Sequence, residues 1–369
     1  MKVLLVTIVD NINFGTILQA FALSQKIKDL GMEVEVIDYQ RPNSTTYTQI
    51  KGIIANHNRS PINRIIYSTC ALVLVPFIKH RLRRFLKDKI TVTQRFTSYQ
   101  SLCSADLKAD VYMTGSDQVW NTQYNDGVDK VFYLDFTSGK KVSYASSIGM
   151  DFYNSDEISE ILPLLHKYSA LSLRESKSCR YLEMFGIKDI FHAIDPTLLL
   201  NKEEWSKMFK PKLKLPEQYL LVYSVEGRNN DYIFQQASFI AKYKKMPLYV
   251  VSASDPIKLR KYRCDKIYAF ANCETFLELM YNASFIVASS FHGTAFAINF
   301  QKEFITITPD KYNIRMEDLI GTLNLSSRVI NINQPLSMPL QHIDFTKVNK
   351  QIEAWRFKSL SYLSSALKS

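Results

Sequence analysis

Short apolar stretches alternate with longer amphipathic segments along most of the chain. Residues 2–9 are almost entirely apolar, and residues 33–38 are rich in Val and Ile, as expected for strands of a buried sheet. Between them, residues 16–30 carry apolar side chains at helical spacing and end at Gly31, a common helix terminator. Strand, helix and strand in this order predict a βαβ unit.

The alternation continues to residue 195 and then begins again after Asp195-Pro196-Thr197. The first part has further predicted strands at 110–114, 142–145 and 171–173, with a helix at 155–168; the second has strands at 219–224, 248–251, 285–288 and 304–307. This pattern predicts an α/β protein with two Rossmann-like domains, residues 1–195 and 196–335, whose parallel sheets face each other across a cleft in a GT-B-like arrangement. A helical tail at 340–369, with Trp355 and Phe357, is predicted to pack back on the first domain.

The bulk composition is that of a globular protein, with 46% hydrophobic and 22% charged residues in 369. The five cysteines form no CxxC pair, which argues against a disulfide framework and a zinc site. Asp10 and Asn11 end the first apolar run too early for a signal peptide, and no uninterrupted run of about 18 apolar residues indicates a membrane span. These features predict a cytoplasmic location.

Most of the net charge of +11 lies in one stretch. Residues 51–100 contain ten basic residues and one acidic residue, a net charge of +9, and we expect a basic, apolar insertion in the first domain at about 51–95. Its apolar segment 65–78 is flanked by Arg and Lys, which fits an element lying on the inner membrane surface through about 59–89. A solvated basic helix beside a buried one explains the pattern equally well. Nucleic-acid binding is the weakest alternative, and we predict none.

Glycine is scarce, with 11 in 369 residues, so its placement is informative. Gly15, Gly115, Gly149 and Gly293 each follow a predicted strand, the position where open α/β sheets bind ligands. The first of these loops, residues 10–16, lacks the GxGxxG spacing, which disfavours a nicotinamide cofactor. Asn13 and Gln19 are candidate cleft residues there, although a helix cap or Asx turn explains each one alone.

The next two loops are rich in hydrogen-bonding side chains. Residues 114–121 supply Ser116, Asp117, Trp120 and Asn121 as candidate cleft residues that can hydrogen-bond sugar hydroxyls, and residues 144–149 supply Ser146 as a further cleft residue. Asp117 is a candidate proton acceptor, but a capping role is the more frequent one for an isolated Asp, and Trp120 also fits the core.

Two further residues combine charge or proton exchange with a position at a strand end. Arg174 follows a buried strand, where its guanidinium can bind a phosphate or carboxylate, or can pair with Glu175 or Asp195. His292 lies where the strand at 285–288 gives way to a helix, and an isolated His there is either a proton-exchanging group or a structural one.

Together, several motifs resemble the polysaccharide pyruvyl transferase family, and they occur in the family's order. They are Asn13-Phe14-Gly15-Thr16 with Leu18-Gln19-Ala20, residues 114–121, Ser143-Tyr144-Ala145-Ser146-Ser147, Leu173-Arg174-Glu175, Asp195-Pro196-Thr197 and Ser290-Phe291-His292-Gly293-Thr294. The resemblance covers residues 1 to about 330.

This resemblance implies a GT-B-like enzyme that moves a pyruvyl group from phosphoenolpyruvate to two hydroxyls of a sugar, often on a lipid-linked or capsular glycan, with no metal and no resident cofactor. The family's catalytic histidine corresponds to His292 and its donor-binding arginine to Arg174. Residues 290–294 (Ser290, Phe291, His292, Gly293, Thr294) correspond to its donor-binding loop. Some members carry an arginine where this chain has Ser290, so Lys311 or Arg315 is a candidate replacement.

Two other functions remain open from the sequence. A GT-B glycosyltransferase that uses a nucleotide sugar would need the same two-domain cleft, and the donor consumed separates it from a pyruvyl transferase. A non-catalytic scaffold for glycan assembly at the membrane surface would depend on the basic stretch instead, and its loss would then abolish all function.

Overall fold

The computed structural model describes residues 1–55, 61–225, 229–252, 259–308, 314–332, 334 and 336–368. Within these ranges, the side chains of residues 49, 52–55, 61–68, 70 and 71 are not described. Lys311 lies outside the described residues.

The first domain contains a parallel sheet made of the strands β1 (Lys2–Val6), β2 (Glu33–Tyr39), β3 (Val92–Phe96), β4 (Val111–Thr114) and β5 (Lys141–Ser143). In the described part of the chain its order is β3-β2-β1-β4-β5. Two short parallel strands, β6 (Ser172–Leu173) and β7 (Phe191–His192), pair with each other, and single bridges from Val142 to Ala170 and from Ser146 to Leu173 continue the sheet to them. Residues that follow β1, β4, β5 and β6 therefore emerge at one edge.

The second domain contains the strands β8 (Leu220–Tyr223), β9 (Leu248–Val251), β10 (Lys266–Tyr268), β11 (Phe285–Ala288), β12 (Glu303–Thr308) and β13 (Val329–Asn331). Their order, within the described ranges, is β10-β9-β8-β11-β12-β13, with parallel pairing throughout. In both sheets the order reverses beside the first strand, which opens a crevice at the carboxyl ends. The predicted fold class, α/β and GT-B-like with two Rossmann-like units, is confirmed.

Helices cover both sheets. They are α1 (Phe14–Asp29), α2 (Thr46–Ala55), α3 (Pro61–Lys89), α4 (Tyr99–Ser104), α5 (Thr122–Asn125), α6 (Ser155–Leu165), α7 (Ser176–Glu183), α8 (Pro196–Leu199), α9 (Lys202–Ser206), α10 (Asn230–Lys244), α11 (Cys273–Asn282), α12 (Phe291–Asn299), α13 (Ile314–Thr322) and α14 (Phe345–Lys368). Among the described residues, no helix is both long enough and apolar enough to cross a membrane.

The stretch at 51–95 that we expected to be an insertion is part of the first sheet. It holds the end of α2, all of α3 and most of β3. β3 pairs with β2, and the pairing begins where Val92 lies beside Val36. The long helix is therefore the crossover that joins two parallel neighbours. β3 could not be predicted from the sequence, because β3 is an edge strand in which the exposed Gln94 and Arg95 interrupt the apolar pattern.

The two domains share one apolar core. Phe14 at the start of α1 stacks on Phe276 of α11 with ring centroids 4.8 Å apart. Phe21 contacts Trp205 of α9, which in turn packs edge-on against Phe296 of α12. Because these aromatic side chains are buried, the helix that leaves β1 is held against the second domain from its first turn.

The C-terminal helix α14 crosses back to the first domain. The Trp355 indole N–H donates to the carbonyl of His192 at 3.1 Å, and the Ser359 hydroxyl accepts from the Ile194 N–H at 3.0 Å. The Tyr362 ring stacks on Phe191 with centroids 4.7 Å apart. These contacts hold the segment that joins β7 to α8, which carries Asp195.

Candidate active site

The ends of four strands meet in the crevice between the domains. Arg174 follows β6, Asp117 lies in the turn after β4, and Gly15 lies in the first turn of α1, which follows β1. His292 is the second residue of α12, directly beyond β11 of the other domain. The side chains of Arg174, Asp117 and His292 are all buried.

Arg174 is the centre of a buried network of carboxylates. Its Nη1 donates to Oδ2 of Asp195 at 2.7 Å, and its Nε donates to Oε1 of Glu175 at 3.2 Å. Oε1 of Glu175 also accepts from the Ser147 hydroxyl at 2.6 Å. Asp195 uses its other oxygen, Oδ1, to accept from the backbone N–H of Thr197 at 2.9 Å and so caps α8. Both ion-pair partners that the sequence offered for Arg174 are therefore used.

The pKa values of Asp195 and Glu175 shift in opposite directions. Burial alone would raise the pKa of Asp195, but the charges of Arg174 and His292 hold it below its ordinary value. Burial raises the pKa of Glu175 above its ordinary value, although Arg174 opposes this. Burial also lowers the pKa of Arg174, yet Asp195 and Glu175 outweigh it, and the net change is upward. Asp195 is thus the permanent counter-ion of a permanently charged Arg174.

His292 lies directly against the start of α1 in the first domain. A Cβ built on Gly15 would lie 2.1 Å from Cγ of His292, so only glycine leaves room for the imidazole there. Nε2 of His292 is 3.9 Å from Oδ2 of Asp195, beyond hydrogen-bond distance. Burial lowers the pKa of His292, although Asp195 and Asp117 oppose the shift. The imidazole is therefore held mainly in its neutral form.

Asp117 is a buried carboxylate in an unusual backbone conformation. Its φ of 70° lies in the left-handed region, which an L-residue adopts at a cost in free energy. Its Oδ2 accepts from the Thr16 hydroxyl at 2.8 Å and its Oδ1 from the Gln118 N–H at 2.9 Å. Burial raises its pKa, but His292, Arg174 and Arg315 reverse this, so the pKa is lowered. Asp117 is therefore ionised, and Arg174 stabilises its charge as it does that of Asp195.

Three buried nitrogen atoms of the site have no hydrogen-bond partner among the described residues. They are Nη2 of Arg174, Nε2 of His292 and Nε of Arg315. Unpaired buried donors are rare in proteins, and two of these belong to permanent cations. The arrangement can bind an anion and place it beside a group that exchanges protons.

The predicted donor-binding loop serves mainly to build the start of α12. The Ser290 hydroxyl accepts from the Gly293 N–H at 3.1 Å and caps the helix, and the Thr294 hydroxyl donates to the Ser290 carbonyl at 3.0 Å. Phe291 places its ring 4.2 Å from Cζ of Arg174, a cation–π contact. Gly293 packs against the Tyr223 ring. Phe291 and His292 thus reach the site, whereas Ser290 and Thr294 support it.

Three predicted cleft residues lie next to the site. The side chain of Asn13 caps α1 by accepting from the Gly15 N–H at 2.9 Å. Gln19 is buried and donates to the Thr7 hydroxyl, and its Oε1 has no partner among the described residues. The Ser116 hydroxyl lies 3.4 Å from Oδ2 of Asp195.

Three other predicted residues stabilise the first domain instead. The Trp120 indole stacks on Tyr133 and donates to the Phe132 carbonyl at 3.0 Å, so it belongs to the core. Asn121 caps α5, and the buried Ser146 hydroxyl donates to the Gly115 carbonyl at 2.9 Å. Small polar residues after strands also make such local bonds, so the sequence did not separate the two roles.

A second buried ion pair, which the sequence did not predict, lies after β1 and β2. Nη2 of Arg41 is 2.9 Å from Oδ1 of Asp10, and its guanidinium lies 4.7 Å from the centre of the Tyr124 ring. The Tyr124 hydroxyl accepts from Nδ2 of Asn11 at 2.6 Å. Asp10 was visible in the first loop, but nothing in the pattern linked it to Arg41.

Sequence comparison agrees with this geometry. The sequence pattern of the polysaccharide pyruvyl transferase family matches residues 13–311, which include Gly15, Asp117, Arg174, Asp195 and His292. The chain belongs to the polysaccharide pyruvyl transferase family. It is therefore an enzyme, a transferase of polysaccharide pyruvylation. No curated protein sequence matches this pyruvyl transferase family member at a significant level.

Solved structures resemble this pyruvyl transferase family member over nearly its whole length at low identity. The UDP-GlcNAc 2-epimerase from Methanocaldococcus jannaschii is 13% identical, with 96% of this chain and 92% of that chain covered and a TM-score of 0.48. The epimerase from Rickettsia bellii is 11% identical, with 98% of each chain covered and a TM-score of 0.47. The heptosyltransferase WaaC from E. coli is 11% identical, with coverages of 96% and 100% and a TM-score of 0.45.

The charge of Asp195 opposes the burial effect on His292, which gives a testable prediction. Asp195→Asn should lower the pKa of His292 further, because it removes the nearest carboxylate and leaves Arg174 with Glu175 as its remaining counter-ion. NMR titration of histidine-labelled protein measures this, with a His292→Gln variant to assign the resonance among six histidines. Glu203→Gln, at an exposed position, is the control. An unchanged or higher pKa in Asp195→Asn would contradict the arrangement.

Proposed function

We propose that this enzyme transfers the pyruvyl group of phosphoenolpyruvate to two hydroxyls of one sugar residue in a surface or capsular polysaccharide, forming a cyclic ketal and releasing phosphate. The observation that carries this proposal is that Arg174 and His292 each have an unpaired buried nitrogen, Nη2 and Nε2, and that both side chains lie within 4 Å of Oδ2 of Asp195, at 2.7 and 3.9 Å. Phosphoenolpyruvate is a small anion that needs both a cationic contact and a proton donor. Membership of the pyruvyl transferase family supports the same reaction class.

Arg174 is the proposed donor-binding residue. Its Nη1 and Nε are already occupied by Asp195 and Glu175, which orient the guanidinium and leave Nη2 for the ligand. The Phe291 ring beneath Cζ restricts the plane of the guanidinium further. A preoriented cation in a buried site binds a phosphate or carboxylate more strongly than an exposed one, because it competes with little water.

His292 is the proposed acid that protonates C3 of the enol. In the ligand-free protein, burial lowers its pKa and favours the neutral imidazole. A multiply charged donor bound beside it favours the imidazolium form, in the same direction as the charges of Asp195 and Asp117. Donor binding therefore raises the pKa of His292, so that the imidazole carries the proton that it delivers to C3.

The reaction balances with these groups alone. Protonation at C3 makes C2 electrophilic, and one sugar hydroxyl adds to C2. The C2–O bond to phosphate then breaks, and a second hydroxyl of the same ring closes the ketal in an intramolecular step. Of the two hydroxyl protons released, one compensates for the proton that C3 gained and the other leaves on phosphate. The scheme uses phosphoenolpyruvate as co-substrate and needs no resident cofactor or metal.

The acceptor is proposed to enter from the side of the first domain. Asp117, held by Thr16, faces His292 and is placed to accept a hydrogen bond from the attacking hydroxyl. Asn11 and Tyr124 of the first domain, which hydrogen-bond to each other, have amide and phenol groups suited to sugar hydroxyls. A lipid-linked oligosaccharide is the proposed form of the acceptor.

The helix α3 supports a peripheral contact with the cytoplasmic face of a membrane. Leu72, Val73 and Phe77, which we call the apolar patch, are exposed by 59%, 68% and 49%. His80, Arg84, Lys87 and Lys89 on the same helix are also exposed, which suits an anionic lipid surface. Three other basic residues instead make internal contacts: Lys79 with the Ser44 carbonyl, Arg81 with the Phe270 carbonyl and Arg83 with Asp38. Residues 59–60, and the side chains of 61–68, lie outside the described part of the helix region.

His292→Gln tests the proton donor. Turnover of phosphoenolpyruvate with a diol-bearing glycoside should fall by about 100- to 10,000-fold, the usual contribution of a general acid, while the fold is retained. A panel of synthetic glycosides, with phosphate release and sugar mass followed together, measures the reaction. His166→Gln, on a helix end away from the crevice, is the control. Activity near that of the unaltered enzyme in His292→Gln would remove His292 from the mechanism.

Arg174→Lys tests the donor contact. An ammonium keeps the charge but cannot pair with Asp195 and Glu175 and also reach the ligand, so the Kd for phosphoenolpyruvate should rise about 10- to 100-fold. Isothermal titration calorimetry measures it, and Arg180→Lys at an exposed position of α7 is the control. An unchanged Kd would mean that Arg174 serves only its ion pairs.

Replacing the apolar patch by serine tests the membrane contact. The triple variant of Leu72, Val73 and Phe77 should bind vesicles of phosphatidylglycerol at least about 10-fold more weakly, since three apolar side chains no longer enter the bilayer. Vesicle sedimentation measures binding, and Phe239→Ser with Tyr243→Ser, two exposed aromatic residues of α10, is the control. Activity on a soluble glycoside should persist, whereas a scaffold would lose its function. Equal binding by all three proteins would refute the contact.

A further inference from the structure

Arg315 on α13 reaches the same crevice as Arg174, although it belongs to the second domain. Its charge affects Asp117, and its own pKa responds to Arg174, Asp117, Glu175 and Tyr124. Burial and the nearby Arg174 lower that pKa, and the two carboxylates do not restore it. Arg315 is half-buried, and its helix contacts Ser176, two residues after Arg174, so two cations lie near each other at a cost in free energy unless an anion joins them.

The Arg315 side chain has no ion-pair partner within 4.0 Å among the described residues, and its Nε makes no hydrogen bond there. Arg174, Arg41 and Arg328, three buried arginines near the ends of strands, each have a carboxylate within that distance. An ion pair with a carboxylate of this chain therefore does not explain why Arg315 lies there. An unpaired cation beside the unpaired Nη2 of Arg174 indicates a ligand that carries more than one negative charge.

A second residue of α13 anchors this helix on the first domain. Oδ1 of Asp318 accepts from the Ser176 N–H at 2.9 Å, at the start of α7, and also from the Ser176 hydroxyl. Oδ2 of Asp318 lies 3.0 Å from Nε2 of His192 in β7. Residues three apart lie on one face of a helix, so the face that carries Asp318 to α7 also carries Arg315 to the crevice.

We propose that Arg315 is the second anion-binding residue of the donor site, which binds the phosphate of phosphoenolpyruvate together with Arg174, and that Asp318 positions it by fixing α13 across the cleft. This inference rests on the proposed function. It also explains how the site has a second guanidinium although Ser290 stands where some family members have an arginine. Ser290 caps α12, and the second guanidinium comes from α13.

Calorimetry with two probes, phosphoenolpyruvate and inorganic phosphate, tests Arg315. Arg315→Gln should raise the Kd for both about 10- to 100-fold, and Arg315→Lys should raise it less, because one charge remains without the planar fork. Arg180→Gln, which removes one exposed positive charge from α7 opposite α13, should leave both values unchanged. The lysine variant keeps the test valid if the glutamine variant does not fold, as thermal unfolding will show.

Asp318→Asn tests the positioning role. Asparagine still accepts from Ser176 but loses the charge that faces His192, so α13 should be held less firmly and the KM for phosphoenolpyruvate should rise several-fold with a smaller change in kcat. Glu317→Gln, on the same helix as Asp318, removes only an exposed ion pair with Lys177 of α7 and should change neither value. A purely structural role for Asp318 would lower thermal stability without separating KM from kcat, and that result would overturn the positioning role.

The outcomes separate this inference from the proposed function. If the unaltered enzyme binds phosphoenolpyruvate and the Arg315 variants bind it equally well, the inference is overturned and the proposed function stands. If the unaltered enzyme binds inorganic phosphate in an Arg315-dependent way but not phosphoenolpyruvate, the anion site stands and the proposed donor is wrong.

Discussion

The buried ion pair between Arg174 and Asp195 is the interaction on which the site depends. It joins the end of β6 to the start of α8, where the first domain passes into the second, and its carboxylate also lies nearest to His292. A buried ion pair contributes little net stability when compared with apolar packing, so its value here is the fixed direction of a guanidinium and the counter-charge beside an imidazole. The capping bond from Thr197 and the contacts of α14 around Ile194 keep Asp195 in place.

The second constraint is how closely the two lobes approach each other. Gly15 allows the imidazole of His292 to lie directly against α1, and the stacking of Phe14 on Phe276 holds this contact. Because Arg174, Asp117, Asp195 and His292 are buried, their charges act on one another with little screening by water. This explains why the pKa values of His292, Asp117 and Arg315 all depart from their ordinary values in directions set by their neighbours.

Much of the fold could be predicted, since it follows from local patterns. The apolar strands near the middle of each sheet and the helix at 16–30 were visible as runs and periodicities, whereas β3 was missed because an edge strand with exposed Gln94 and Arg95 has no continuous apolar signal. The site could be predicted at the level of its loops. Whether Asn121 and Ser146 face a ligand or make local bonds depends on the direction of each side chain, which residue type does not decide.

The sequence by itself determined which residue types follow each strand, and hence that a cation, an imidazole and carboxylates would lie at the edges of two parallel sheets. Only the tertiary structure decided which of them meet. The family resemblance made Arg315 one of two candidates, whereas nothing in the sequence singled out Asp318. Asp318 contacts Ser176 and His192, and Arg315 lies near Arg174, only because α13 crosses the cleft. Helical periodicity shows which residues share a face, but not which partner that face meets, because the partner comes from a distant part of the chain.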